Sequence, residues 1–348
     1  MKYFFAIFLI LIIVFSVYFF IIYQGIYYPK DSASQEEVFF TIEKGQGIKQ
    51  IAENLEKQGL IKNKWYFIIY VFFREIAREM KAGDYLLFSS MTIPQIGEKF
   101  FLGDISREKI VIFEGWNLRD IGWFFENKGM FMAEELFELT GFPATAALEP
   151  SGLPFSDDFS DEFDFLADKP RSISLEGYLF PDTYEIYKDE GLKEIIEKML
   201  ANFGEKLTPE IKEEIEAQEK TIFEIIIMAS ILEKEVRTFK DKKIIAGILW
   251  KRLEDGMLLQ VDATVNYVTG QSKRQVLISQ TKIDSPYNTY KYKGLPLGPI
   301  SNPGMESIKA AIHSESSDYW YYLSTPEGET IFSRTLKEHN QAKAKYLK

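Results

Sequence analysis

Cysteine is absent from the 348 residues, which excludes disulfides, zinc–thiolate sites, iron–sulfur clusters and cysteine nucleophiles together. Histidine is nearly absent. His313 and His339 are the two, neither falls in an H-E-x-x-H spacing, and zinc-hydrolase chemistry has no ligand set. Positive charge is in deficit, with 41 Lys and Arg against 52 Asp and Glu, a net −11. Nucleic-acid binding needs clustered cations, so an acidic body excludes it as a partner. Ser106–Lys109 reads S-x-x-K, but no K-T-G triplet follows, which removes penicillin-binding chemistry. What is present is ordinary for a folded protein, 46% hydrophobic and 27% charged, long enough for about two domains.

The N-terminus has the longest apolar run. Residues 3–23 read YFFAIFLILIIVFSVYFFIIY, with Ser16 as the one clearly polar member. As a helix the run spans about 31 Å, the thickness of a bilayer core. It is longer than a signal-peptide core and no small-x-small cleavage site follows, so an uncleaved anchor over residues 1–30 is expected. Tyr23, Tyr27 and Tyr28 fit an interfacial aromatic belt. Lys2 favours an internal N-terminus, against Lys30 on the other flank, and an internal N-terminus would make the protein single-pass with its body outside the cytoplasm.

Two segments then align at an offset of 70 residues, TIEKGQGIKQIAENLEKQGL from Thr41 and VIFEGWNLRDIGWFFENKGM from Val111. Gly45 pairs with Gly115, Ile48 with Leu118, Ile51 with Ile121, Leu55 with Phe125, and Gly59 with Gly129. Each copy reads as strand, Gly turn, and helix ending at Gly. The unit resembles a LysM-like fold, which implies glycan binding over residues 31–140; a plain βα spacer is the other reading. Residues 141–172 are rich in Pro and acids without periodicity and read as a linker, although Phe155, Phe159, Phe163 and Phe165 suggest that it packs onto something.

Residues 173–348 carry the candidate chemistry. Thr221–Val236 reads TIFEIIIMASILEKEV, a helix with a T-x-x-E capping box and an apolar surface nearly all round, hence buried. Glu233 continues the stripe of Ile222, Ile226 and Ala229. A carboxyl on that stripe is expected to lose water, which favours its protonated form and suits a general acid. Glu235 falls on another face and is expected to pair with Lys or Arg. SLEGYLFPDTY at Ser174–Tyr184 reads either as a sugar-binding aromatic loop or, favoured on composition, as a packed turn. QVDATVNY at Gln260–Tyr267 offers Gln260, Asp262 and Asn266 as polar contacts. Asp284–Gly304, with four Pro and three Tyr, must be a shaped loop.

Five segments taken together resemble the YceG-like endolytic murein transglycosylases, the MltG family. They are EGYLFPDTY at Glu176–Tyr184, ASILEKE at Ala229–Glu235, LQVDATVNY at Leu259–Tyr267, SPYNTYKYKGLPLGPISNPG at Ser285–Gly304 and FSRTLKEHN at Phe332–Asn340. Two departures are Asp262–Ala263, where members often have Asp-Pro, and Pro296–Leu297, where they often have Pro-Pro. The resemblance implies an α+β chain: a transmembrane helix, a small LysM-like subdomain and a larger α+β catalytic domain. It implies cleavage of the MurNAc–GlcNAc β-1,4 bond within glycan strands, without water, giving 1,6-anhydroMurNAc ends and setting strand length. It maps the catalytic acid to Glu233. Candidate substrate contacts are Glu176, Tyr178, Gln260, Asp262, Asn266, Tyr287, Asn288 and Asn302. No cofactor or metal is required, and synthases of the same glycan are implied as partners. Two rivals are a two-carboxylate glycan hydrolase, with Asp262 or Glu176 as the second group, and a non-catalytic wall-binding scaffold.

Overall fold

The computed structural model describes residues 2–74, 80–103, 107–144, 159–187, 190–271 and 276–347. Helix and strand are mixed, and the strands form two-stranded ribbons. The chain divides into two compact units, one of residues 1–109 and 185–190, the other of residues 110–184 and 191–348.

In the first unit, α1 (Lys2–Tyr27) is long and apolar enough to cross a membrane over Ile7–Tyr27. It is followed by β1 (Glu37–Ile42), α2 (Ile48–Lys57), α3 (Lys64–Arg74), β2 (Gly83–Phe88) and α4 (Ile93–Leu102). β1 and β2 pair antiparallel, Glu37 opposite Phe88 and Ile42 opposite Gly83. This register turns Phe40, Tyr85 and Leu87 inward, onto Leu55 of α2, Phe67 of α3 and Phe100 of α4. Thr92 starts α4 with a reciprocal cap to Gln95 and Pro94 in the first turn, where its missing N–H costs nothing.

β3 (Arg107–Val111) pairs with β4 (Thr183–Tyr187), and the division between the units runs through this ribbon. Between them lie α5 (Leu118–Asn127) and α6 (Ala133–Thr140), so the second member of the repeat belongs with the second unit. The two repeated segments take the same local course. A strand ends at a turn with positive φ at Gly45 (83°) or Gly115 (78°), a helix follows, and Gly59 (78°) or Gly129 (69°) stops it.

The linker expected at 141–172 lies outside the described residues from 145 to 158, Phe155 included. From Phe159 onward it is packed: Phe159, Phe165 and Leu166 are buried, the last two in a short 3-10 turn. The Ser174–Tyr184 segment is the packed turn. Gly177 holds φ at 90°, and a Cβ there would lie 2.6 Å from Pro299 and 2.8 Å from Ile226, so no other residue fits.

The second unit continues with α7 (Leu192–Lys206), α8 (Pro209–Glu216), α9 (Ile222–Glu235), α10 (Phe239–Glu254), α11 (Asp262–Thr269), α12 (Met305–Ile312), β5 (Tyr321–Ser324), β6 (Thr330–Ser333) and α13 (Leu336–Tyr346). α9 is the axis. Thr221 and Glu224 cap each other at its start, and Ile225 through Leu232 are all buried beneath α8, α10, α11 and α12. Each Ile or Leu so buried contributes about 1.5–3 kcal/mol. The helix ends at Val236, whose backbone is extended, and that end carries Glu233 and Glu235.

Candidate active site

A cleft of about 1290 Å³ opens in the second unit, lined among others by Glu235, Arg237, Gln260, Asp262, Asn266, Tyr290, Tyr322 and His339. Glu235, on the last residue of α9, accepts hydrogen bonds from the Tyr322 hydroxyl of β5 and the Ala263 N–H of α11. Burial, with a smaller contribution from the Asp262 charge, pushes its carboxyl up from 4.5 to about 7. Asp262, in the first turn of α11, accepts from the Tyr290 hydroxyl at 2.5 Å and from the Val276 N–H at 3.4 Å. Gln260 holds a positive φ of 53°, and its N–H donates to the Thr289 carbonyl at 3.1 Å. His339 stacks on Tyr321 with ring centroids 5.3 Å apart. Burial, then Lys343 and Arg252, push its imidazole down to about 4, so it is neutral at physiological pH.

Glu233 points elsewhere. Its side chain is only 10% exposed, as expected, but its neighbours are donors rather than hydrocarbon. Oε2 accepts from Ser307 Oγ at 2.6 Å, the Gly304 N–H at 3.2 Å and Lys242 Nζ at 3.3 Å. Lys242 is itself 4% exposed, so this is a buried ion pair joining α9, α10 and the start of α12. Nearby Glu114 is pushed up by burial and then by the Glu233 charge. The surroundings expected of the two glutamates are exchanged: Glu233 has the basic partner, while Glu235 is raised by burial and lines the cleft. The helical stripe identified a buried face correctly, but not that α10 and α12 supply the cover with Lys242, Ser307 and Gly304.

Of the expected substrate contacts, the structure brings Gln260, Asp262 and Asn266 to the cleft wall. The other five are interior. Glu176 is fully buried and accepts from the Leu118 N–H at 3.1 Å, the Tyr267 hydroxyl at 2.9 Å and Asn302 Nδ2 at 3.4 Å. Burial pushes it up to about 7, while the Leu118 N–H, the Tyr267 hydroxyl and Arg119 pull the other way. Asn302 also accepts from the Leu179 N–H at 2.9 Å and donates to the Trp116 carbonyl at 3.0 Å, so it ties the SNPG turn to the second repeat and the Gly177 turn. Asn288 Nδ2 donates to the Thr281 and Ile283 carbonyls at 3.0 and 2.7 Å, bracing the Pro- and Tyr-rich loop from inside. Tyr287 packs on Tyr267, centroids 5.3 Å apart. Tyr178 stacks with Phe165 and meets Phe203 edge-on, and its hydroxyl has no hydrogen-bond partner among the described residues. Glu176 and Tyr287, through Tyr267, and Asn288, through Thr281, back residues of the cleft wall.

Sequence reasoning missed Tyr290, Tyr322 and His339 as cleft residues. Tyr290 and His339 stand in the NTY and EHN triplets of two quoted segments, Tyr322 in none of them, and nothing local aims those rings. Among the described residues no cluster of His, Cys, Asp and Glu could hold a metal ion.

The sequence profile of the YceG-like family matches residues 40–345. A Bacillus subtilis protein named endolytic murein transglycosylase is 33% identical over 321 residues, covering 92% of this chain and 87% of that protein. A Streptococcus pneumoniae protein of the same name is 28% identical, covering 92% of this chain and 60% of its own length. The crystal structure of a YceG-like protein from Listeria monocytogenes superposes with a TM-score of 0.58 at 32% identity, over 88% of this chain and 99% of that one.

Proposed function

The chain belongs to the YceG-like family, and on that premise we propose that it is an endolytic murein transglycosylase whose general acid is Glu235. The observation carrying the assignment is that Glu235 is the carboxyl that both lines the cleft and is raised by burial to about 7, a value at which it can give a proton and then take one. Glu233 Oε2 already accepts from Lys242, Ser307 and Gly304, and the residue supports the helix end.

In the proposed reaction Glu235 protonates the glycosidic oxygen between MurNAc and GlcNAc. The C1–O bond breaks with oxocarbenium character at the muramyl C1. Glu235, now a carboxylate, removes the proton from the same sugar's C6 hydroxyl, whose oxygen bonds to C1 and closes the 1,6-anhydro ring. One carboxyl serves both steps, where a hydrolase uses two. Gln260, Asp262, Asn266 and Tyr290 are the groups on the cleft wall suited to orient sugar hydroxyls. α1 would hold the enzyme to a membrane, single-pass, with the second unit outside the cytoplasm. The βααβ order of β1, α2, α3 and β2 supports a LysM-like reading of that segment, which would bring the glycan strand to the enzyme. Cutting nascent strands there would set their length.

The test is mass spectrometry of murein incubated with the full chain in detergent. Anhydro ends that vanish in Glu235→Gln and persist, though reduced, in Glu233→Gln support the reading. Asp262 shares the cleft and its charge acts on Glu235, which favours one rival, a two-carboxylate hydrolase. Reducing ends in place of anhydro ends would establish that rival.

A further inference from the structure

We propose that the outer face of α3 lies in the lipid interface beside α1, so that the first unit sits directly on the bilayer. The inference rests on α1 being a membrane anchor and concerns how the folded unit meets the lipid around that anchor.

Between Lys64 and Arg74 the helix α3 contains no charged residue, and it is apolar on two opposite sides. One side, Phe67, Tyr70 and Val71, is buried in the core of the first unit. The other bears Trp65, Phe72 and Phe73, spaced i, i+7 and i+8 on a single helical stripe, with Ile69 beside them partly buried against the core. Phe72 is 76% exposed, Phe73 79% and Trp65 55%, an unusual display of aromatic surface for a face that only meets water.

α1 identifies what covers it. The helix does not emerge from the membrane-length run and then connect through a linker to the folded unit. Ile26 is part of the buried core, and Ile22 packs against it. Both fall inside the Ile7–Tyr27 stretch. α3 provides the seat: a Cβ on Gly25 would lie 2.3 Å from the Tyr66 ring, so the two helices meet there with no room for a side chain. At the end of α3, Arg74 bonds to the Tyr70 hydroxyl and lies within electrostatic range of Tyr27 in the last turn of α1. If α1 spans a bilayer, the residues packed on its final turns are at the depth of the headgroups and upper acyl chains. An aromatic stripe on the helix holding those turns then has lipid as its solvent, with Tyr27 and Arg74 at the polar boundary.

The absence of cysteine makes the test clean. Single substitutions Phe72→Cys, Phe73→Cys, Phe15→Cys and Lys44→Cys are made in the full chain and spin-labelled. The chains are then reconstituted in nanodiscs of phosphatidylethanolamine and phosphatidylglycerol. Collision rates with oxygen, which concentrates in lipid, and with an aqueous nickel chelate are read for each label. The proposal expects labels at 72 and 73 to favour oxygen, as 15 does, and 44 to favour nickel. Labels at 72 and 73 that behave like 44, while 15 remains in lipid, overturn the proposal and leave the anchor intact. Labels at 72 and 73 shielded from both reagents mark a protein partner or a second copy, and also overturn it. A label at 15 that favours nickel overturns the anchor and the proposal together.

Discussion

The protonation of Glu235 makes the most demanding prediction. An ordinary glutamate at 4.5 is about 0.3% protonated at pH 7, whereas a group at about 7 is half protonated, on the order of a 100-fold larger supply of acid. Cleavage measured as kcat/KM on murein strands is therefore expected to fall as pH rises through about 7. The Tyr322 hydroxyl donates to the carboxylate and so holds this value down against the effect of burial. A hydrogen bond to a charged group contributes about 1.5 kcal/mol or more, which is roughly one pH unit. Tyr322→Phe should move the descending limb up by about one unit. Asp262→Asn removes a like charge and should move it down. The assay is a pH series of anhydro-product formation with both variants beside the parent. A parent limb near pH 4–5, a Tyr322→Phe limb displaced downward, or undiminished cleavage by Glu235→Gln would each refute the assignment of the acid.

Three further outcomes follow from the interior. Lys242→Met leaves Glu233 as an uncompensated buried charge and should cost about 3–5 kcal/mol, read from urea denaturation, whereas replacing both partners of the pair should cost less. Glu176 and Glu235 both titrate near 7 in the folded state against 4.5 unfolded, so the native state binds more protons between those values. Their contribution to stability is then full below pH 4.5, declines as pH rises to about 7 and levels off, and the unfolding free energy from urea denaturation should be lower at pH 8.5 than at pH 5 by on the order of a few kcal/mol. Gly177→Ala forces a Cβ against Pro299 and Ile226 at a φ of 90°, and should lower the melting temperature by well over 5 °C.

Much of this was legible in the sequence because it is local. The capping box at Thr221 and Glu224 and the apolar surface of α9 announce a buried helix, and α9 is one. The family resemblance stands, and the mixed α and β character with it. What was not legible depends on which element covers which face. Glu233 and Glu235 differ by two positions on one helix end. Only the packing of α10 and α12 on one side, and of α11 and β5 on the other, decides which carboxyl is paired and which faces the cleft. Glu176, Asn288 and Asn302 have the chemistry of sugar contacts, but the loops carrying them fold inward, where backbone N–H and C=O groups need those same donors and acceptors.

The cleft is assembled from residues that run from Asn117 to Leu347, with β5 and α13 closing a wall that α5 and α9 begin. A chain still emerging from its ribosome or translocation channel holds the acid long before it holds Tyr322 and His339. Competence therefore waits for residues 321–347, and a polypeptide that stopped before Tyr321 would keep the glutamate yet have no finished groove in which to use it.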